Sequence, residues 1–166
     1  MKIIGFCKIG NQVQMVLKGD SSLLVNRKPF FIPDWSENIL MTPCEVLRIS
    51  RLGKNISPRF ATRYFDAIAP GLNMQAADYV SMGNWVKGWA FDYSLVVGTF
   101  ADTNQDIWQN VDAQPVVSHE EAIYIASNVM TIRQGDLIFI DRDVTPRPLK
   151  RDEVITEGDE LYCKIK

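Results

Sequence analysis

Histidine is nearly missing from this chain of 166 residues: His119 stands alone. Reaction centres built on a histidine base, and metal sites of the histidine–cysteine type, have a single candidate to draw on. That candidate follows Ser118 at a helix-start pattern, where a solvated surface position is the expectation. Cysteine is scarce as well. Cys7, Cys44 and Cys163 share no metal-ligand or C-x-x-C spacing, and an odd number of thiols is no disulfide framework. Three reduced, mostly buried thiols in a cytoplasmic protein are expected. Charge excess is missing too: 18 basic and 20 acidic side chains leave a net −2, which gives no electrostatic footprint for nucleic acid. Apolar runs stay far below the roughly 18 residues that span a bilayer, so no membrane partner is expected. Lys8, Gly10, Asn11 and Gln12 break the amino-terminal apolar patch before a signal-peptide core forms. No glycine-rich phosphate loop occurs.

What remains is an ordinary globular composition, 46% apolar and 23% charged, in a length suited to one domain over residues 1–166. Strand-like runs cover 2–7 and 12–17 around the turn Lys8-Ile9-Gly10-Asn11. Others are Leu23–Val25, Phe30–Ile32, the segment after Pro43, two pieces around Trp89 and Val96-Val97, Leu137–Ile140, and Leu161–Ile165. Two helices are predicted. Ser57-Pro58 starts the first, with Phe60, Ala61, Tyr64, Phe65 and Ile68 at helical spacing and Pro70-Gly71 as its stop. Ser118-His119-Glu120-Glu121 caps the second, ahead of Ala122, Ile123, Ile125, Ala126 and Val129. The residues thus point to a β-rich α+β domain.

The chemistry is harder to find. Glu37, Glu45, Asp66, Asp78 and Asp92 make no close carboxylate pair, and a solvated position is expected of each. Trp35, Trp85, Trp89 and Trp108 suit a core, although Trp108 stands in the polar loop Asn104–Asn110. The stretch LMTPCEVLRI, from Leu40 to Ile49, is odd. Its second half reads as a strand, yet Pro43 lacks the amide a ladder needs, which places it at a strand entry or a bulge.

Several segments together resemble the fumarylacetoacetate hydrolase family. Gly135–Phe139 (GDLIF) and Glu157–Ile165 (EGDELYCKI) are similar to its closing "GDli.TGTP" and "v..GD.v" strands. RISRLGKNISPRFATRYFDAIAPGLNMQAADYV resembles the passage from a metal-binding strand through a helix to "G.DfTARD". Lys87-Gly88-Trp89 is similar to "KGFD", and Lys28–Asn38 to the segment before the metal-binding strand. The similarity runs from about Ser22 onward, with residues 1–21 left as an amino-terminal strand pair. It implies a mixed β-sheet/β-roll domain with two short helices, and a homodimer or a pairing with a paralogue. It also implies a keto-acid ligand and Mg²⁺, Mn²⁺ or Ca²⁺ held by three carboxylates.

The departures decide what to expect. Matched in register, the E-x-E pair of the metal site falls on Thr42 and Cys44, and the third carboxylate on Asn73. The arginine and aspartate that follow fall on Ala77 and Asp78. The lysine of "KGFD" is kept as Lys87, while its aspartate position is Ala90. TGTP reads Ile140-Asp141-Arg142-Asp143, the histidine-bearing loop has no histidine, and the short Tyr79–Val86 segment leaves a lid-like insertion trimmed. A one-residue slip would bring Glu45 in, but on the other strand face. Hydroxyl, thiol and amide groups carry no charge for a hard cation. The expectation is a vestigial pocket of Thr42, Cys44, Asn73, Asp78 and Lys87, with no metal and no catalytic residues. Such a protein would be degenerate, acting as a binding or regulatory partner. The alternative is a hydrolase, isomerase or decarboxylase of acylpyruvate-like keto acids, rebuilt on Lys87, Asp78, Cys44 or Arg142.

Overall fold

The computed structural model describes residues 1–102, 108 and 111–166; the predicted polar loop Asn104–Asn110, apart from Trp108, lies outside them. The described strands are β1 (Ile3–Ile9), β2 (Gln12–Lys18), β3 (Leu23–Val25), β4 (Ile39–Ile49), β5 (Phe65–Ala76), β6 (Leu95–Val97), β7 (Leu137–Asp141), β8 (Arg147–Pro148), β9 (Val154–Glu157) and β10 (Leu161–Lys164). Helices α1 (Ala77–Ser81), α2 (Trp85–Trp89) and α3 (His119–Val129) complete the set. The main mixed sheet runs β2-β1-β7-β4-β5-β6-β3, with β8 added to β4, while β9 and β10 form a separate pair.

The hairpin β1–β2 closes on Gly10 and Asn11, and Gly10 adopts φ +63, a conformation glycine supplies without steric cost. β1 then pairs in parallel with β7, which makes the amino-terminal hairpin part of the main sheet. One face of the sheet is covered by α3. There Ile4, Phe6, Leu47, Ile138 and Ile140 pack against Ala122, Ile123 and Ala126. Helix α3 begins as expected, with the Ser118 side chain accepting from the Glu121 amide. The other face is concave. Cys7, Val16, Cys44, Val46, Ala69, Leu95, Val97 and Phe139 enclose Trp89 there, and Lys18 at the end of β2 reaches the Met74 carbonyl on β5. Helix α2 lies against both β2 and β5 on this face. Among the described residues no helix is long and apolar enough to cross a membrane.

Several expectations fail for physical reasons. The predicted helix over residues 58–68 is a 3₁₀ turn, Pro58–Arg63, followed by the long strand β5. β5 is flanked by β4 and β6 and buried along almost its whole length, so it carries no two-residue alternation that would betray a strand. Pro70-Gly71 is therefore no stop. Pro70 directs its carbonyl to the Gly98 amide, on the side where β6 has already ended, so its missing donor costs no ladder bond. Gly71 is needed for a different reason: a Cβ there would sit 2.8 Å from Val46 and 3.0 Å from the Cys44 sulfur. The tryptophan tract also departs from expectation, because Trp89 lies in α2 and only Val96-Val97 is strand. Phe30 makes a single bridge to Ile165 rather than a strand.

Pro43 is neither at a strand entry nor at a bulge. It lies inside β4, opposite Leu72. On its other side β8 pairs with Leu40 and Met41 and β7 pairs from Cys44 onward, so Pro43 falls at the seam between two neighbours. Its carbonyl accepts from the Arg142 amide at 2.9 Å, and the absent N–H would point into the same seam.

Candidate functional site

Strand alternation sends Thr42 and Cys44 of β4 to the concave face. Register sets Thr42 opposite Asn73 of β5, and Cys44 between Gly71 of β5 and Asp141 of β7. All four polar side chains are buried. Asp141 reaches across β4, and both of its carboxylate oxygens accept from Asn73 Nδ2 at 3.1 Å. Burial pushes that carboxyl well above its ordinary range, against the pull of Asn73 and of the Lys18 charge. Thr42 Oγ1 and Asn73 Oδ1 have no hydrogen-bond partner among the described residues. Thr42 and Asp141 line a cavity of about 30 Å³, room for roughly one water.

Asp78 and Lys87 have different partners. Asp78 accepts from the Ser36 hydroxyl at 2.7 Å and from the Glu37 amide at 3.2 Å, fixing the 36–38 loop to α1. Lys87 places its ammonium 4.2 Å from the centre of the Tyr79 ring and 5.1 Å from that of Trp35. Neither contact involves Thr42, Cys44 or Asn73. The structure thus gathers three of the five predicted residues and adds two that the sequence reading left out, Asp141 and Lys18.

The convex face holds another correction. Glu45 and His119, expected in solvent, meet: His119 Nε2 donates to Glu45 Oε1 at 2.5 Å, and Arg142 Nη2 donates to Glu45 Oε2 at 3.1 Å. Glu45 is 4% exposed. Phe65 presents its ring to the imidazole at 5.6 Å in an edge-on arrangement. This cluster ties the start of α3 to the middle of the sheet. Its members lie 74 and 97 positions apart, a separation that no local pattern signals.

The concave-face donors do not fit a divalent ion. Oxygen-seeking cations need several charged oxygens. Here they would meet a hydroxyl, an amide, a thiol that burial and Asp141 hold in its protonated form, and one carboxyl pushed toward neutrality. The Lys18 amine is buried on the same side. Among the described residues no three His, Cys, Asp or Glu side chains are grouped to hold a metal.

No family model matches the sequence, and no curated protein matches it. Solved structures do. Fumarylpyruvate hydrolase from Pseudomonas aeruginosa, solved with Mn²⁺ and pyruvate, superposes with a TM-score of 0.80 at 19% identity, covering 99% of this chain and 88% of that one. The protein from Yersinia pestis ascribed to the fumarylacetoacetate hydrolase family gives 0.81 at 17% identity, over 99% and 92%. The fold is that of the fumarylacetoacetate hydrolase family. A 5-carboxymethyl-2-hydroxymuconate delta-isomerase from Mycobacterium smegmatis shares it, with a TM-score of 0.79 at 16% identity over 99% and 78%. The amino-terminal hairpin belongs to this likeness, since nearly the whole chain is covered.

The fumarylacetoacetate hydrolase-like roll buries all three thiols of this chain. Burial raises Cys7 and Cys44, and lifts Cys163 to about 11. Thiolates are the reactive form, so the native protein should be inert to a disulfide reagent at pH 8. Three equivalents should react once guanidinium unfolds the chain. Rapid labelling of Cys44 in native buffer would show that the concave face opens.

Proposed function

We propose that this chain is a non-catalytic protein of the fumarylacetoacetate hydrolase fold, one that acts by binding and without metal-dependent chemistry. The reading rests on one observation. The concave face carries Thr42, Cys44 and Asn73, the positions that the sequence resemblance assigns to a carboxylate triad, and Asp141 is held against Asn73. Such a face offers a ligand neither a Lewis acid nor an exposed base. Of the groups a rebuilt enzyme would use, Cys44 is fully buried, Asp78 is bonded to Ser36, and Lys87 lies over two rings. The partner in this reading is a second copy of the chain or a related chain of the same fold.

A second reading, a hydrolase or isomerase of keto acids, draws support from the names of the matching structures. Turnover separates the two. Acylpyruvates such as fumarylpyruvate, followed by loss of enol absorbance with and without Mn²⁺, should be cleaved no faster than in buffer. Cleavage above background that disappears in a variant of the concave face would establish the second reading.

A further inference from the structure

Lys18 is the most deeply buried cation of the chain, 1% exposed at the end of β2. Its Nζ faces four oxygens: the Trp89 carbonyl at 2.6 Å, Ser94 Oγ at 2.9 Å, and the Met74 and Ser94 carbonyls at 3.2 Å each. Three are carbonyls and can only accept. The fourth is committed as well, because the Ser94 hydroxyl spends its proton on the Trp89 carbonyl at 3.1 Å and turns a lone pair to the lysine. The faces of Phe139, Trp89 and Phe91 complete the surroundings, with centroids 5.5, 5.9 and 5.9 Å from the nitrogen. Carbonyl oxygens and ring faces are all negative toward the centre they surround. A neutral amine would point its own lone pair at one of them, whereas an ammonium ion has three protons to give.

We propose that Lys18 is the resident cation of the roll, an internal ammonium held by carbonyl oxygens and ring faces and coupled through space to Asp141. Of the groups that act on it through space, Asp141 is the one carboxyl. Burial pulls the amine down to about 7, and Asp141 opposes that shift. Phe139 carries the link in the structure, since it lies under the ammonium and precedes Asp141 by two residues on the same face of β7. Asn73, bonded to Asp141, immediately precedes Met74, whose carbonyl receives the lysine. The arrangement also accounts for the loss of carboxylates at 42, 44 and 73. Further carboxylates beside Asp141 would add negative charge that one buried ammonium cannot balance.

A double-mutant cycle tests the coupling. Lys18→Met and Asp141→Asn should each lower the folding equilibrium constant by about 100-fold at pH 7, as removal of one partner from a buried pair does. The double variant should be at least ~10-fold more stable than the product of the two losses predicts. Additive losses would overturn the coupling. Should either variant fail to fold, the unmodified protein decides by ¹⁵N NMR of the lysine side chains. An ammonium signal from Lys18 at pH 6 is expected, and a neutral amine at that pH overturns the proposal. Both measurements are independent of turnover and of added metal, so their failure is distinct from failure of the non-catalytic reading.

Discussion

Glu45→Ala should destabilise the protein by about 3–5 kcal/mol, enough to consume a large share of the stability of a domain this size. Glu45 is buried and receives both the imidazole of His119 and the guanidinium of Arg142. Removing the carboxylate takes from Arg142, itself 7% exposed, its ion pair with Glu45. The first turn of α3 also loses its anchor to β4. The Glu45→Gln variant keeps the shape and one acceptor oxygen, so its loss should be smaller than that of alanine. Urea denaturation followed by tryptophan fluorescence measures both. A loss below about 1 kcal/mol for the alanine variant would mean that the cluster is solvated, as surface ion pairs are.

Returning one family carboxylate should be equally harmful. Cys44→Glu places a charged group at a site with no exposed surface, beside Asp141 and opposite Gly71. The effective penalty of an uncompensated buried ion is several kcal/mol, and the longer side chain adds strain in a packed interior. The variant should therefore unfold at far lower urea concentration than the parent. Millimolar Mn²⁺ should not restore it, because Thr42 and Asn73 still bring no charge and Lys18 still occupies the interior. Rescue by Mn²⁺ would show that the site lacks only a single ligand. The comparison separates a dormant metal centre from a rebuilt interior.

The fold was legible where local chemistry decides it. Gly10-Asn11 marks the first hairpin, Ser118 with Glu121 marks the start of α3, and Leu137–Asp141 reads as a buried strand. It was misread where tertiary burial overrides local pattern. Phe65–Ala76 is covered on both faces, so its apolar residues show no strand period, and its proline is harmless only because β6 ends before it. The three concave-face positions could be placed from motif spacing, since Thr42, Cys44 and Asn73 lie on two adjacent strands in fixed register. Lys18 and Asp141 could not. Each simply ends an apolar strand, and a charged residue there ordinarily turns to solvent. Only the tertiary fold, which sets α2 against both β2 and β5, turns Lys18 inward. His119 reads as a surface residue for the same reason, because its partner Glu45 comes from β4 and that carboxylate's other partner from the segment after β7.

Metal affinity tests the central claim most directly. Calorimetric titration of the purified chain with Mn²⁺, and separately with Mg²⁺, should show no saturable binding up to millimolar concentrations, and the midpoint of thermal unfolding should not rise with either ion. Saturable binding at micromolar Mn²⁺, with a matching rise in the unfolding midpoint that Asp141→Asn abolishes, would contradict the account and make the concave face a metal centre after all.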